Sequence, residues 1–406
     1  MDLYISASEA AEILGVSVQT LYTYVSRKGI RSQKVSGSRE RRYWAPDIER
    51  IRSKERPDAG APRGGRQETD ITLLTPDGPF YRGESALRLS KTQTLEEVAA
   101  HLWQVEVNAA FGGPLPAAPT EFADLAKMHV DASSTDKAIA LLPFLEQANP
   151  TAYDLSREGM VRTGADVLRW YAAILTDQSA PSAAPLHLQV AQYLKANDDV
   201  ADLIRQLLVL SADHGFRAGA YAVRAVASTG VSPYRSVLAG FAITNGRRTQ
   251  FGRVEGIRRL LAEICESRDP RSAIVARLQE GDALPGFDTL APYAQSGDPR
   301  ARHMLDSLER VFGENEVFLK TADAIAFVED RMRLKPSFAL ANTLFSELIG
   351  LPRQKVLYIL GRCAGWVAHS IEQYESGPIE PRVISYRGSL PKPDRGAKSN
   401  RGYEIA

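Results

Sequence analysis

The feature that most constrains the fold is a segment without hydrophobic periodicity that divides the 406-residue chain into two unequal parts. Residues 57–69 are rich in glycine and proline, which favour loops over helices or strands. We therefore predict a linker at 57–69, a small domain at 1–56 and a large domain at 70–406. The chain is long enough to bury a large core without disulfides.

Charge and cysteine content narrow the class of protein. The formal net charge is only +1, so nucleic-acid binding would require basic residues concentrated in one region. The two cysteines, Cys265 and Cys363, are far apart in sequence and lie in apolar helical contexts, which argues against a disulfide framework or a cysteine zinc site, and we predict no metal site. No basic segment precedes an apolar run at the N-terminus, and no apolar stretch of about 18 residues occurs. We expect a cytoplasmic protein that is neither exported nor membrane-spanning.

The N-terminal residues predict a helix-turn-helix. Residues 6–14 have the pattern of a capped amphipathic helix, residues 15–17 form a tight turn, and a second helix starts at residue 18. The polar face of the second helix is suited to reading base edges in the major groove. The residues predicted on this face are Gln19, Thr20, Tyr22, Thr23 and Ser26.

Basic residues follow this motif closely. Residues 27–56 contain eleven lysines and arginines against four acidic residues, which favours a phosphate backbone as partner. Residues 34–44 predict a β-wing, and residues 45–48 the start of another helix. Together these elements resemble the DNA-binding domain of the MerR and excisionase type. A basic mini-domain that docks another protein is the alternative. The basic residues predicted to contact DNA are Arg27, Lys28, Arg39, Arg41 and Arg42.

The large part begins with a short predicted β-hairpin and is otherwise helical. Residues 71–74 and 80–81 flank a Pro-Asp-Gly turn, which favours two short strands. Residues 94–97 form a capping box, and residues 200–210 have apolar side chains at helical spacing. Residues 177–186 form a polar, proline-rich loop. The large domain is therefore predicted to be all-α.

Five motifs of the large domain, in order, resemble the citrate synthase family: residues 211–214, 223–229, 297–301, 361–369 and 380–382. The resemblance implies a mostly α fold with two domains, a small lid at about 245–345, and a homodimer. It also implies that oxaloacetate or citrate is clamped by a histidine and three arginines, one of them from the partner subunit. Acetyl-CoA is implied as substrate or ligand, and no other cofactor. The matching positions are His214, Arg300, Arg362 and Arg382.

The positions that match the family's proton-transferring groups hold other residues. The family uses one histidine to polarise the thioester, a second to protonate the oxaloacetate carbonyl and a carboxylate to deprotonate the acetyl group. Thr249, Leu290 (or its neighbour Thr289) and Ser337 occupy these positions, and none of these side chains titrates near neutral pH. The nearby Asp288 would act as an acid only in a rearranged mechanism. We therefore assign no catalytic residue.

Three functions remain open. The leading hypothesis is a carboxylate-sensing DNA-binding regulator with weak or no synthase activity. The second is an active citrate synthase that condenses acetyl-CoA with oxaloacetate through a rearranged site. The third is a DNA-binding protein whose large domain serves only for dimerisation. Arg247 and Arg248 lie where the resemblance places acetyl-CoA, and they either bind a phosphate-bearing ligand or are simply solvated.

Overall fold

The computed structural model describes residues 4–28, 30–34, 40–45, 47–48, 51, 67–288 and 292–379. They fall into two compact units, one extending to Gln67 and the other covering Glu68–Ile379, and each is described by itself. Residues 57–66 of the predicted linker at 57–69 lie outside the described residues. The predicted domain limits therefore stay predictions.

The N-terminal unit contains the predicted pair of helices, α1 (Ala7–Leu14) and α2 (Val18–Lys28). Ser6 and Glu9 form a reciprocal capping box at the start of α1, which satisfies two backbone N–H groups of the first turn. Gly15 ends α1 with a φ of 66°, a left-handed conformation in which glycine carries no steric penalty. The turn that follows is short, since α2 begins at Val18. The first hydrogen bond of α2 runs from the backbone N–H of Leu21 to the carbonyl oxygen of Ser17.

A three-stranded antiparallel sheet completes this unit, in the order β1 (Tyr4–Ile5), β3 (Arg41–Trp44), β2 (Ser32–Lys34). Lys34 pairs with Arg41 and Ser32 with Tyr43, so β2 and β3 form the predicted wing. The sheet has a third strand that the sequence did not predict, because β1 pairs with the edge of β3 that β2 leaves open. The buried core contains Ile5, Ala10, Leu21, Ile30, Tyr43, Ile48 and Ile51.

The larger unit opens with the predicted hairpin, extended by a third short strand. Strand β4 (Thr72–Thr75) pairs with β5 (Gly78–Tyr81), and β5 pairs with β6 (Glu84–Ser85). Tyr81 is fully buried, and its hydroxyl lies 3.2 Å from the carbonyl oxygens of Val209 and Leu210. This contact fixes the sheet against the end of a central helix.

The rest of the larger unit is helical. Thr94 and Glu97 form the predicted capping box, which confirms the start of one helix. The helices are α3 (Ala86–Leu89), α4 (Leu95–Trp103), α5 (Val107–Phe111), α6 (Phe122–Met128), α7 (Ser134–Gln147), α8 (Arg157–Leu175), α9 (Leu186–Leu194), α10 (Asp198–Ser211), α11 (Ala218–Ala227), α12 (Pro233–Thr244), α13 (Gln250–Glu266), α14 (Pro270–Gln279), α15 (Pro299–Phe312), α16 (Glu316–Met332), α17 (Phe338–Leu348) and α18 (Leu357–Ser376), with a 3₁₀ turn at Pro150–Tyr153.

Helix α18 lies at the centre of this unit and packs against α10 very closely. A Cβ atom on Gly361 would lie 2.5 Å from the Leu208 carbonyl oxygen, and one on Gly365 would lie 2.4 Å from that of Ala212. Only glycine allows this approach, and Gly365 uses it to donate its N–H to Ala212 over 3.0 Å. Arg362, between the two glycines, is therefore held at the carboxyl end of α10.

The predicted fold class is confirmed: a small winged helix-turn-helix and an all-α larger unit preceded by a short β-hairpin. Within the described ranges, no helix combines the length and the apolar character needed to cross a membrane.

Candidate functional site

Arg300, at the start of α15, is almost completely buried, with 1% of its surface exposed. Asp298, the N-cap of this helix, binds the guanidinium in bidentate fashion, with Nε to Oδ1 at 3.1 Å and Nη2 to Oδ2 at 2.7 Å. The ring of Phe338 lies 4.7 Å from the guanidinium carbon. Burial opposes the charged form of Arg300, but the Asp298 carboxylate outweighs it and raises the pKa of Arg300. Arg300 is therefore a fixed cation.

Arg362 is held by a second buried carboxylate, Asp213, which follows the end of α10. The Nη1 atom of Arg362 lies 3.2 Å from Oδ1 of Asp213, and Nε2 of the buried His369 lies 3.4 Å from the same oxygen. Gly215 donates its backbone N–H to the other oxygen over 2.8 Å. Burial opposes ionisation, but His369 and Arg362 lower the pKa of Asp213, so it is a carboxylate at neutral pH.

His214 lies between the two arginines and is neutral. Its Nδ1 atom is 2.8 Å from Nη1 of Arg300, and because a guanidinium can only donate, Nδ1 must be the acceptor. The ring proton therefore lies on Nε2, ready to be donated to a ligand. Burial and the positive charges of Arg300, Arg362 and Arg217 hold the pKa of His214 well below its ordinary value. We call His214, Arg300, Arg362, Asp213 and Asp298 the arginine cluster.

Sequence reasoning missed four residues of this region. Asp213 and Asp298 are parts of the recognised motifs, but nothing in the pattern shows that they neutralise the arginines. Arg217 adds a further positive charge close enough to lower the pKa of His214. Tyr293 is buried with its ring 5.8 Å from the Arg300 guanidinium carbon, and its hydroxyl has no hydrogen-bond partner within the described residues. Burial raises the pKa of Tyr293 to about 12, so its hydroxyl stays protonated and can donate a hydrogen bond to a ligand placed beside it.

Two of the positions predicted to match the family's reactive groups have structural roles. The Thr249 hydroxyl donates to the carbonyl oxygens of Ile243 at 2.5 Å and Gly246 at 2.9 Å, in the turn before α13. Ser337 is the N-cap of α17, where its hydroxyl accepts the N–H of Leu340. Ser337 precedes Phe338, whose ring covers Arg300, so this position is next to the arginine cluster. Both hydroxyls satisfy backbone groups.

Asp288 does not join the cluster. Its carboxylate lies 2.9 Å from Nη2 of Arg253, and its side chain is 56% exposed. The predicted second histidine position, Leu290 or Thr289, lies outside the described residues, and so does Arg382. Of the four predicted carboxylate-binding residues, the structure therefore brings together His214, Arg300 and Arg362. Arg247 and Arg248 are exposed.

The predicted DNA-binding residues are distributed over α2 and the wing. Gln19, Tyr22 and Thr23 are exposed on α2, whereas Thr20 is partly buried and its hydroxyl lies 2.8 Å from that of Ser17. Arg41 and Arg42 are exposed on β3. The backbone of Arg27 and Lys28 belongs to the last turn of α2, and Arg39 lies outside the described residues. The exposed set has the composition of a groove-reading surface.

This geometry suits anion recognition better than proton transfer. Fixed guanidinium groups, a neutral imidazole with Nε2–H and a buried phenol all donate to oxygen. The carboxylate next to them, Asp213, has a lowered pKa and is fully bound, which makes it a weak base. The other carboxylate in the described part of the cluster, Asp298, is also occupied, because both of its oxygens accept from the Arg300 guanidinium.

Comparison with known proteins agrees with both parts of this description. Residues 65–382 match the family model of the citrate synthase C-terminal domain, and residues 4–50 match that of a helix-turn-helix domain. Relatives include citrate synthase 2 of Bacillus subtilis, 25% identical over 199 residues, which are 48% of this chain and 52% of that protein. The citrate synthase of Haloferax volcanii is 25% identical over 194 residues, 46% of this chain and 50% of that protein. The chain thus spans about half the length of these relatives.

Solved structures show the same fold. Citrate synthase from Thermotoga maritima superimposes with a TM-score of 0.66 at 20% identity, covering 82% of this chain and 96% of that chain. The ternary complex of the Thermoplasma acidophilum enzyme with carboxymethyl coenzyme A and oxaloacetate gives a TM-score of 0.65 at 16% identity, covering 81% and 96%. With most of its length matched by the family model, this chain belongs to the citrate synthase family and carries an N-terminal helix-turn-helix domain.

Proposed function

We propose that the protein is a carboxylate-responsive DNA-binding regulator with weak or no synthase activity. In this proposal the arginine cluster binds oxaloacetate or citrate, and the helix-turn-helix binds DNA. The observation that carries it is a contrast between two sets of positions: the predicted anion-binding groups His214, Arg300 and Arg362 are held in place, whereas Thr249 and Ser337 use their hydroxyls to hold the backbone.

The charge balance of the cluster indicates how a ligand would be bound. Asp298 and Asp213 already neutralise Arg300 and Arg362, so these two arginines contribute directed donors more than net charge. Arg217 supplies positive charge near His214, and the family resemblance implies a further positive charge from Arg382. A dicarboxylate or tricarboxylate therefore suits the site better than a neutral sugar.

Regulation requires that the ligand favour one conformation. The resemblance implies a lid at about 245–345, and Arg300 and Ser337 belong to it, whereas His214 and Arg362 do not. A ligand held by both groups would stabilise the closed state, and the proposed homodimer would transmit closure to two helix-turn-helix modules on a palindromic site.

Selection of binding sequences from a random duplex pool tests the DNA-binding half. We expect enrichment of an inverted repeat, and retention on a gel that changes when oxaloacetate or citrate is added. The Arg362→Lys variant keeps the positive charge but loses the planar guanidinium and its fixed donor directions. It should therefore bind the same DNA without responding to either carboxylate. Failure to retain any duplex at low salt would contradict the proposal.

Family membership favours a second candidate, an active citrate synthase with a rearranged site. Thiol release from acetyl-CoA in the presence of oxaloacetate distinguishes the two. Replacing even one proton-transferring group commonly lowers the rate about 10²- to 10⁴-fold, so we expect little release. Release at an ordinary turnover number would establish the enzyme and reject the regulator as the main function. Acyl-CoA binding without release would instead show that this family ligand is still recognised.

The third candidate, a large domain that serves only for dimerisation, makes the opposite prediction for ligands. It expects no change in melting temperature with oxaloacetate, citrate or acetyl-CoA. Since there would be no ligand response to lose, the Arg362→Lys variant would then change only the stability. Calorimetric titration with the three compounds decides between this candidate and the sensor.

A further inference from the structure

A cavity lies away from the arginine cluster in the larger unit. It has a volume of about 260 Å³, far more than the roughly 10–15 Å³ that one water molecule needs. Helices α7, α12, α13 and α17 and the segment 353–358 form its walls, and neither His214 nor Arg300 nor Arg362 lines it. We call it the hinge cavity. Its size is that of a small metabolite.

The hinge cavity is lined by more cations than anions. Arg258, Arg353 and Lys355 contribute positive charge, against Asp136 and Glu255. Lys355 is only 7% exposed, and burial lowers its pKa although it lies 2.6 Å from Asp177. An additional anion beside Lys355 would relieve this desolvation. Glu347 binds Arg258 over 2.9 Å and Asp177 binds Lys355 over 2.6 Å, so these two cations are already paired. The exposed Arg353 has no ion pair within the described residues and is the lining cation that suits one negatively charged group of a ligand.

The remaining lining groups are mostly hydroxyls and amides, and two of them are incompletely satisfied. Asn342 is 6% exposed, and its Oδ1 atom has no hydrogen-bond partner within the described residues. The hydroxyl of Tyr358 is also buried without a partner in that part of the chain. A buried polar atom without a partner costs about 1–3 kcal/mol, so a ligand that carries hydroxyl groups would find donors and acceptors here.

The cavity lies where the chain enters and leaves the proposed lid. At the entry, the side chain of Asn245 accepts from Thr135 over 3.0 Å and donates to Asp136 over 2.6 Å. At the exit, Ser134 donates its backbone N–H to the Gln354 carbonyl over 2.7 Å and accepts the N–H of Val356 over 3.0 Å. The first turn of α7 therefore holds both crossings, with the cavity between them.

We propose that the hinge cavity binds a small polyhydroxy compound with one anionic group, a sugar acid or a sugar phosphate, and that its occupancy changes the affinity of the arginine cluster for its own ligand. A molecule lodged against both crossings favours one lid position over another. By linkage, each ligand then changes the affinity of the other by the same factor.

The test uses the full chain with D-gluconate and ribose 5-phosphate as probes and D-glucose as the neutral control. We expect one probe or both to bind in calorimetry, and glucose not to bind. Arg353→Ala removes an exposed cation without disturbing the core, and Ser346→Leu fills part of the cavity; each should raise the dissociation constant at least about tenfold. Arg268→Ala, an exposed arginine outside the cavity wall, should leave it unchanged.

Three results would overturn the proposal: no binding of either probe at millimolar concentration, equal binding of glucose, or loss of probe binding in Arg362→Lys but not in Arg353→Ala. The last result would assign the probe to the arginine cluster.

Oxaloacetate titrations of the wild type and Arg353→Ala are run in parallel. If oxaloacetate fails to bind either protein, the proposed function fails, while probe binding still tests the hinge cavity.

Discussion

The arginine cluster and the helix starts at Thr249 and Ser337 differ in the interactions that hold their side chains. In the cluster, each buried arginine has a carboxylate of its own, Asp298 or Asp213, at 2.7–3.2 Å. At Thr249 and Ser337 the side chain satisfies only local backbone groups. The proposed anion site thus depends on long-range ion pairs, which are costly to break, whereas the positions predicted to match the family's reactive groups serve as ordinary helix and turn residues.

The largest effect is expected at Asp213, because its removal leaves the buried Arg362 without its counter-charge and takes away the carboxylate oxygen next to His369. Asp213→Asn should lower the free energy of unfolding by about 3–5 kcal/mol, measured by denaturant titration. The matched control is Asp288→Asn, which breaks an exposed ion pair with Arg253 and should cost no more than about 1 kcal/mol. Equal losses of unfolding free energy in the two variants would show that the buried ion pair of Asp213 stabilises the fold no more than an exposed one.

The next effect is expected in ligand affinity at Arg300. Arg300→Lys retains the charge, but an ammonium cannot bind Asp298 in bidentate fashion and also donate to His214. We expect the dissociation constant for oxaloacetate to rise at least about tenfold in calorimetry. Arg271→Lys is the control, since Arg271 makes the same bidentate contact with Asp323 on the surface. An unchanged affinity in Arg300→Lys would exclude the cluster as the carboxylate site.

A smaller effect concerns the pH dependence of stability. The lowered pKa of His214 means that below about pH 6.5 the unfolded chain binds a proton that the folded chain does not. The free energy of unfolding should therefore fall as the pH drops, by up to about 1.4 kcal/mol per pH unit from this group. His214→Gln should give a shallower profile between about pH 5 and 7. His187 and His303 also have lowered pKa values, but they contribute equally to both proteins. Parallel profiles would mean that His214 is not held neutral.

Much of the fold could be predicted because its signals are local. The capping boxes at Ser6 and Thr94 and the turn at Gly15 depend on residues a few positions apart, and the structure has each of them. The third strands, β1 and β6, were not predicted because two-residue strands carry no periodicity; they exist only through pairing with β3 and β5.

The site could be predicted only in part, for a physical reason. Motif resemblance located His214, Arg300 and Arg362, but the tautomer of His214 depends on where Arg300 lies, 86 positions further along the chain. The role of Asp213 likewise depends on the close approach of α10 and α18, which two glycines permit. Gly361 and Gly365 stand in the quoted motif and are the one signal that would have suggested such an approach.

The smallest predicted effect tests whether Ser337 is only a helix cap. Ser337→Ala should cost about 1 kcal/mol of stability, because the N–H of Leu340 loses its acceptor. Asn315→Ala, at the start of α16, removes a comparable cap that binds Val317 and Phe318, and should cost a similar amount. Neither variant should change the affinity for oxaloacetate, measured by calorimetry. A loss of affinity in Ser337→Ala alone would show that this hydroxyl contacts the ligand, and the separation drawn between the arginine cluster and the helix starts would then have to be abandoned.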